Sequence, residues 1–439
     1  MTTDADRPDD PIDRNTSRRR PKAEMLQIGE RKLRPATLMM GHGYDAALSE
    51  GALKPPIFLT STFMFESAAA GKRHFEGITG KRPGGAEGLV YSRFNGPDQE
   101  ILEDRLGIWE EAEDALVFSS GMSAITTVML AHVRPGDTIV HSSPLYAATE
   151  GLISRLLANF GIKWLDFPAG ATRDEIDAVL HRASHGRVPL IFLESPANPT
   201  NALVDIEAVR ASRDAIFAEE DRPLIAIDNT FLGPLWQCPL HHGADLVVYS
   251  LTKYVGGHSD LVAGGAMGSK SAIAPIRAIR NTIGTIVDPH TAWMLLRSLE
   301  TLELRMSRAG ENAAKVCTWL RDQPKVDRVG YLGFLEEGSR QADIYRRHCT
   351  GAGSTFSLYL KGGEKEAFAF LDALKLAKLA VSLGGTETLA SHPAAMTHLS
   401  VPPERKAALD IGDNLVRISI GVEDADDLIA DFEQALRAV

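Results

Sequence analysis

Asp245-Leu-Val-Val-Tyr249-Ser-Leu-Thr-Lys253-Tyr-Val-Gly-Gly-His258-Ser-Asp260 sets a short apolar run just before a lysine and a pair of glycines. A run of this length, with no apolar/polar alternation, is expected of a strand covered on both faces. The lysine that follows would sit at the mouth of a sheet. Desolvation there lowers an ammonium pKa and leaves an amine nucleophilic toward an aldehyde. Ser250 and Thr252 flank Lys253 with hydroxyls suited to a phosphate. Alone, Lys253 has a bland reading, since most lysines are simply solvated; the rest of the chain must decide.

Outward from this segment the same pattern recurs. Apolar runs at Ala115–Phe118, Thr138–His141, Gly161–Phe167, Pro189–Leu193 (PLIFL) and Pro223–Ile227 (PLIAI) precede it, and Ala263–Gly268 follows. Helical stretches such as Ile125–Val133, Leu152–Phe160 and Arg173–His181 lie between them. This alternation predicts an α/β fold with a mainly parallel sheet, whose functional residues gather at the carboxyl ends of the strands. From about His290 the pattern changes to one long helix over Thr291–Asp322, a strand at Thr355–Lys361, a helix at Glu364–Leu374, a strand at Val416–Ile420 and a closing helix at Ala425–Ala438. That suggests a smaller α+β domain. The expected organisation is a disordered tail over 1–24, an N-terminal arm over 25–95, a large domain over 96–303 and a small domain over 304–439. In the arm, Lys54–Phe65 reads as extended and Gly71–Gly88 as a loop with a short helix. There is no internal repeat.

Composition narrows the function classes. The 439 residues are 44% hydrophobic and 24% charged, ample for a large buried core. The net charge of −11 argues against a nucleic-acid backbone as the main partner. Cys238, Cys317 and Cys349 are far apart and form no CxxC or Cys/His cluster. Neither a disulfide framework nor a metal site is therefore expected, and reduced thiols in a cytoplasmic protein are the simplest reading. No apolar stretch is long enough to span a membrane. The N-terminal segment, dense in Asp, Arg and Pro, lacks the apolar core of a secretory signal.

Four strand ends carry chemistry. Phe118-Ser-Ser-Gly121-Met122-Ser123 is a glycine turn opening a helix, where free N–H groups and the helix dipole favour a phosphate, although such a turn is more often only a turn. Glu194-Ser-Pro-Ala-Asn198-Pro-Thr is a proline-fixed loop, in which Asn198 reads equally as a ligand contact or a loop cap. Ile227-Asp228-Asn229 ends an apolar strand with a charge that needs a partner, unless it caps the next helix. A protonated pyridine nitrogen would be such a partner, keeping a pyridoxal ring an effective electron sink. The fourth is Ser250-Leu-Thr252-Lys253 itself. Phosphate cup, pyridinium partner and amine together fit pyridoxal 5′-phosphate (PLP) bound on Lys253.

These motifs, with Tyr91-Ser-Arg93, Pro144-Leu-Tyr146, Ser382-Leu-Gly-Gly and Val416-Arg417-Ile-Ser-Ile-Gly, resemble in their order the Cys/Met-metabolism PLP enzymes, from about Thr37 to the C-terminus. This is the family of cystathionine γ-synthase, cystathionine γ-lyase, methionine γ-lyase and O-acetylhomoserine sulfhydrylase. The resemblance implies the fold-type-I PLP-dependent transferase (aspartate aminotransferase-like) architecture and a homotetramer built as a dimer of dimers. It implies Lys253 as Schiff-base lysine and proton shuttle, Tyr146 as a ring-stacking group that assists proton transfer near the leaving group, and Asp228 as pyridinium partner. Gly121, Met122, Ser250 and Thr252 would hold the phosphate, with Tyr91 and Arg93 supplied across a subunit interface by the arm. Asn198 would lie near the ring hydroxyl, while Arg417, helped by Ser382, would clamp the carboxylate of a small amino-acid substrate.

The departures bear on substrate. Phe94-Asn95-Gly96-Pro97-Asp98 replaces the family's Asn-Pro-Thr continuation, Ala148 stands where methionine γ-lyases carry cysteine, and Arg280-Asn281 replaces a lyase Lys-Asp pair. Val381 stands where cystathionine-handling members tend to carry glutamate, as in methionine γ-lyase, which Ser391–His398 also resembles. The expected activity is γ-elimination from a methionine-like amino acid. Canavanine cleavage to homoserine and hydroxyguanidine, γ-replacement on an O-acylhomoserine, and a non-catalytic PLP-binding role are the alternatives. Of these the last has no use for a shuttle lysine.

Overall fold

The computed structural model describes residues 26–79, 81, 88–399 and 401–439. The tail expected over 1–24, and most of 80–87, lie outside them. Two large sheets organise the described residues, beside a two-stranded antiparallel pair of Gln27–Ile28 with Arg31–Lys32. The larger has seven strands: β1 (Asp114–Phe118), β2 (Thr138–Ser143), β3 (Lys163–Pro168), β4 (Leu190–Glu194), β5 (Leu224–Asp228), β6 (Leu246–Ser250) and β7 (Gly264–Gly268), in the order β1-β7-β6-β5-β4-β2-β3. All neighbours are parallel except around β7, which runs antiparallel to both β1 and β6. Both faces are covered: Val117, Ile191, Ile227 and Val247 point into one core, Leu116, Phe118, Phe192 and Val248 into another. This two-sided burial is why these strands read as unbroken apolar runs.

Helices α1 (Ala68–Ile78), α2 (Pro97–Trp109), α3 (Gly121–His132), α4 (Ala147–Gly151), α5 (Arg173–Ala183), α6 (Ile206–Ile216), α7 (Lys270–Ile283) and α8 (Pro289–Leu299) accompany this sheet. The second sheet orders β8 (Val326–Gly330), β9 (Thr355–Leu360), β10 (Lys378–Leu379), β11 (Leu389–Ser391) and β12 (Leu415–Ser419) as β8-β9-β12-β11-β10. It is backed by α9 (Leu302–Arg321), α11 (Glu364–Ala373) and α13 (Ala425–Leu436). Between them run α10 (Arg340–His348) and α12 (Pro403–Ala408). The fold is thus α/β with a smaller α+β sheet, as expected. Helix α9 joins the two cores, with Leu302 and Met306 in the first and Ala313, Val316 and Leu320 in the second.

Several local expectations need correcting. The stretch Thr291–Asp322 is two helices, not one, because α8 stops at Leu299 and Thr301 starts α9. Apolar periodicity continues across the break, so pattern alone does not reveal it. Leu152–Phe160 is a π-turn over Leu152–Leu157 followed by a 3₁₀ turn. In the Gly71–Gly88 stretch, α1 already begins at Ala68, capped by the Ser67 hydroxyl on the N–H of Ala70. Helix α2 gave no amphipathic signal because it buries polar residues too: Asp98, Gln99, Glu103, Asp104 and Arg105 are all buried.

Candidate active site

The carboxyl ends of β4, β5 and β6 and the N-terminus of α3 open into one cavity of about 350 Å³. It gathers Gly121, Met122, Tyr146, Asn198, Asp228, Ser250, Thr252, Lys253, Val381, Ser382 and Arg417, residues spread over almost 300 positions of sequence.

Helix α3 begins at Ser120, whose hydroxyl accepts from the N–H of Ser123 (3.0 Å), while the Ser123 hydroxyl accepts from the N–H of Ser120 (2.9 Å). The cap takes up the Ser123 N–H, and Ser120, Gly121 and Met122 at this helix start line the cavity. Gly121 is there for space: a Cβ on it would stand 2.9 Å from the Cβ of Ser250. This close approach of α3 to the end of β6 puts helix dipole and serine hydroxyl beside one another, a cradle for a dianionic phosphate. The Thr252 hydroxyl borders it, at present bonded to the backbone of Ala263.

Asp228, at the end of β5, is buried, and its Oδ1 accepts from both the N–H (3.0 Å) and the hydroxyl (2.5 Å) of Thr230. The carboxylate is thereby fixed in orientation at the cavity wall. Burial raises its pKa. The β4/β5 register places Glu194 directly beside it. Glu194 was not singled out from sequence, yet it holds two site residues: its Oε2 accepts from the N–H of Tyr146 (2.6 Å) and its Oε1 from the N–H of Asn198 (2.9 Å). Its signal was available, as an acidic residue ending an apolar strand like Asp228. Burial, with the charge of Asp228 adding, pushes the Glu194 carboxyl from 4.5 up to about 8. A carboxyl raised in the folded state binds a proton there that the unfolded chain has already lost. Glu194 therefore favours folding at the acidic end, and its contribution disappears as pH rises from about 4.5 through about 8. From about pH 4.5 to about pH 8.5 the urea midpoint of the cofactor-free parent should fall more steeply than that of Glu194→Gln, which has no proton to lose there; parallel curves would refute the assignment.

Lys253 and Arg417 provide the cations. Lys253 Nζ donates to the Ser382 hydroxyl (2.8 Å). Burial first, and then the neighbouring Arg417 guanidinium, bring its pKa down to about 8. Arg417, from β12 of the small sheet, is buried, and donates from Nη1 to Asn198 Oδ1 (3.2 Å) and from Nη2 to the Ser382 carbonyl (2.8 Å). Ser382 thus ties both cations together. It does so at φ 123°, a conformation costly for a residue with a side chain and retained mainly where a site demands it. Tyr146, half exposed, stands at the rim with Val262 and Val381.

Tyr91 and Arg93 do not line this cavity. Tyr91 bridges the backbone of Thr62, and Arg93 folds onto the C-terminal end of α7, donating to the Asn281 carbonyl with its guanidinium 4.7 Å from the Phe94 ring centre. Arg280 is wholly buried and bonded to Glu103 (2.7 Å) and to the carbonyl of Phe94 (3.0 Å), while Asn95 also reaches Glu103 (3.0 Å). Two departures noted above, the Phe94–Asp98 loop and Arg280, are therefore one packing unit. Ala148 is exposed on α4, outside the cavity lining.

A half-buried lysine at the mouth of the sheet, a fixed carboxylate one strand away and a helix-end phosphate cradle fit PLP. The family model of the Cys/Met metabolism PLP-dependent enzymes matches residues 36–437. The chain belongs to this family. Its members include an L-methionine gamma-lyase of Pseudomonas putida, 38% identical over 92% of this chain and 97% of that protein. An O-succinylhomoserine sulfhydrylase of Pseudomonas aeruginosa is 35% identical over 89% of this chain and 92% of its own length. Among solved structures, cystathionine gamma synthase from Xanthomonas oryzae pv. oryzae, in complex with aminoacrylate and cysteine, superposes with a TM-score of 0.83 at 31% identity, over 93% and 99% of the two chains. As a member of the Cys/Met family the protein is a PLP-dependent enzyme. No helix among its described residues is long and apolar enough to cross a membrane.

Proposed function

We propose that the protein is a γ-lyase that eliminates the γ-substituent of a methionine-like amino acid. The observation that carries this reading is the character of the cavity. Val262, Val381 and Leu383 border it, and among its described lining residues the only carboxylates are Glu194 and Asp228. Both end adjacent strands of the large sheet and are buried, Glu194 already committed to backbone N–H groups. A thioether tail is matched by such a rim, whereas the guanidinium-like tail of canavanine or the distal ammonium of cystathionine would meet no uncommitted acidic partner among these described lining residues.

Bound PLP would supply the electron sink for charge developing at the substrate Cα. Asp228 would hold its ring nitrogen protonated, and the α3 N-terminus with Ser250 and Thr252 its phosphate. Arg417 would clamp the substrate carboxylate with both guanidinium nitrogens, orienting Cα–H toward Lys253. The Nζ of Lys253, with its pKa brought down to about 8, is suited to take that proton and then one from Cβ, whose electron pair would expel the γ-sulfur, and to return a proton at Cγ. The Tyr146 hydroxyl would move a proton at the departing sulfur. In this reading residues 96–303 and 304–439 act as large and small domains, and residues 25–95 reach a neighbouring subunit in a homotetramer, bringing Tyr91 and Arg93 to its phosphate. A cytoplasmic location accompanies the reading.

Incubation with methionine, homocysteine, canavanine, cystathionine and O-acetylhomoserine, with and without an added thiol, tests it. The expected result is a 2-oxo acid and ammonia from methionine or homocysteine with no added nucleophile, and turnover at least about tenfold slower with the cationic substrates. Product that forms only when a thiol is supplied would make the protein a γ-replacement enzyme instead.

A further inference from the structure

Away from the cavity, three segments distant in sequence converge. Helix α6 brings Asp205 as its cap and Glu207 in its first turn. The 3₁₀ turn Pro239–His242, just before β6, brings His242. The last turn of α10 brings Arg347 and His348. One ligand atom from each of Glu207, His242 and His348 lies within 4.8 Å of the others. His242 Nδ1 is 3.2 Å from Glu207 Oε1, and the two imidazole centres are 4.4 Å apart. His348 Nε2 faces Asp205 Oδ1 at 3.8 Å and Glu207 Oε2 at 3.9 Å.

We propose that Asp205, Glu207, His242 and His348 form a binding site for a divalent transition metal of the zinc type, plugged in this conformation by the guanidinium of Arg347. Arg347 Nη1 touches Glu207 Oε2, His348 Nε2 (3.3 Å) and Asp205 Oδ1 (3.4 Å), and Nη2 bonds Asp205 Oδ2 (2.7 Å). One nitrogen thus stands where lone pairs from three side chains meet. Because an arginine can only donate, His348 Nε2 must accept, so the ring is neutral and its proton is on Nδ1. That Nδ1 is buried without a partner. A lone pair aimed between two carboxylates is repulsive unless a cation lies between, so the arrangement requires positive charge at this point.

Two imidazoles and two carboxylates are the donor set of nitrogen/oxygen zinc sites, whose ligands stand about 2.0–2.2 Å from the ion. Around a tetrahedral ion such atoms sit about 3.3–3.6 Å apart, so among Glu207, His242 and His348, now within 4.8 Å of one another, the widest edge would close by about 1 Å. A divalent ion balances two carboxylates better than one guanidinium does, and the Arg347 side chain, a third exposed, has solvent to move into. Sequence showed no such site because the donors come from separate segments with no motif spacing. The site would join the N-terminus of α6, the turn leading to β6 and Lys253, and the end of α10, so its effect belongs to stability rather than chemistry.

The test is calorimetric titration of the PLP-loaded enzyme with zinc at pH 7.5, with thermal unfolding in parallel. About one saturable equivalent per chain and a raised midpoint are expected. His242→Gln and Glu207→Gln should each weaken binding at least about tenfold with turnover unchanged, and Arg347→Ala should tighten it. Cobalt in place of zinc should give tetrahedral ligand-field bands that are lost in the same two variants. No saturable binding by the parent, or binding unchanged in His242→Gln, overturns the proposal. The second outcome would place the zinc on the cofactor phosphate or a cysteine.

Discussion

Lys253→Ala should lower turnover by about 10⁴-fold or more, the scale at which a positioned proton-transfer group acts together with covalent catalysis. Lys253 is the lone lysine of the cavity lining among the described residues, so no neighbour can take over. The PLP-loaded parent should be yellow, and the variant should lose the imine absorbance. Lys253→Arg keeps positive charge near Ser382 but cannot condense with an aldehyde, and is expected to be as inactive as the alanine variant. Turnover restored by arginine would show that Lys253 acts only through its charge. Misfolding is separable from lost chemistry. Burial and Arg417 bring the lysine pKa down to about 8, so its charged form is disfavoured in the folded chain. The cofactor-free alanine variant should therefore melt no lower than the parent at pH 7.

Asp228→Asn should reduce kcat by about 10²- to 10³-fold, comparable to removing one preorganised electrostatic contact, and should weaken PLP retention on dialysis. Asparagine preserves the shape and can still accept from Thr230, but carries no charge to hold a pyridine nitrogen protonated. The KM for substrate should change little, since Arg417 sits on the other sheet and Ser382 in the loop between β10 and β11. Activity within tenfold of the parent would remove Asp228 from this role. A loss confined to KM would assign it to substrate binding instead.

The central sheet was legible because burial on both faces writes its strands as plain apolar runs, and because Lys253, Asp228 and Gly121 stand where those runs end. The short strands Lys378–Leu379 and Val326–Gly330 were not, being brief, exposed or polar, with too little pattern to separate from loops. Helix α2 was hidden for the opposite reason: polar residues such as Glu103 are buried on ion pairs with arginines far away in sequence, which no local window can show. In the site, motif residues were legible but their supports were not. Nothing local announces that Glu194 holds the Tyr146 and Asn198 backbones, or that Arg280 pins the Phe94 loop. The Glu207, His242 and His348 cluster was invisible for the same reason, since contact across segments is decided by packing.

Ser382 has a consequence for timing. Its carbonyl receives Arg417 and its hydroxyl receives Lys253. A ligand carboxylate that draws Arg417 toward itself pulls on the residue that tethers the amine, and the strained backbone at φ 123° gives that residue somewhere easier to relax. If Arg417 holds a substrate carboxylate as proposed, Ser382 would act as an interlock, with occupancy at Arg417 and freedom of the lysine read through a single hinge point. An amine lacking the carboxylate would leave the interlock closed.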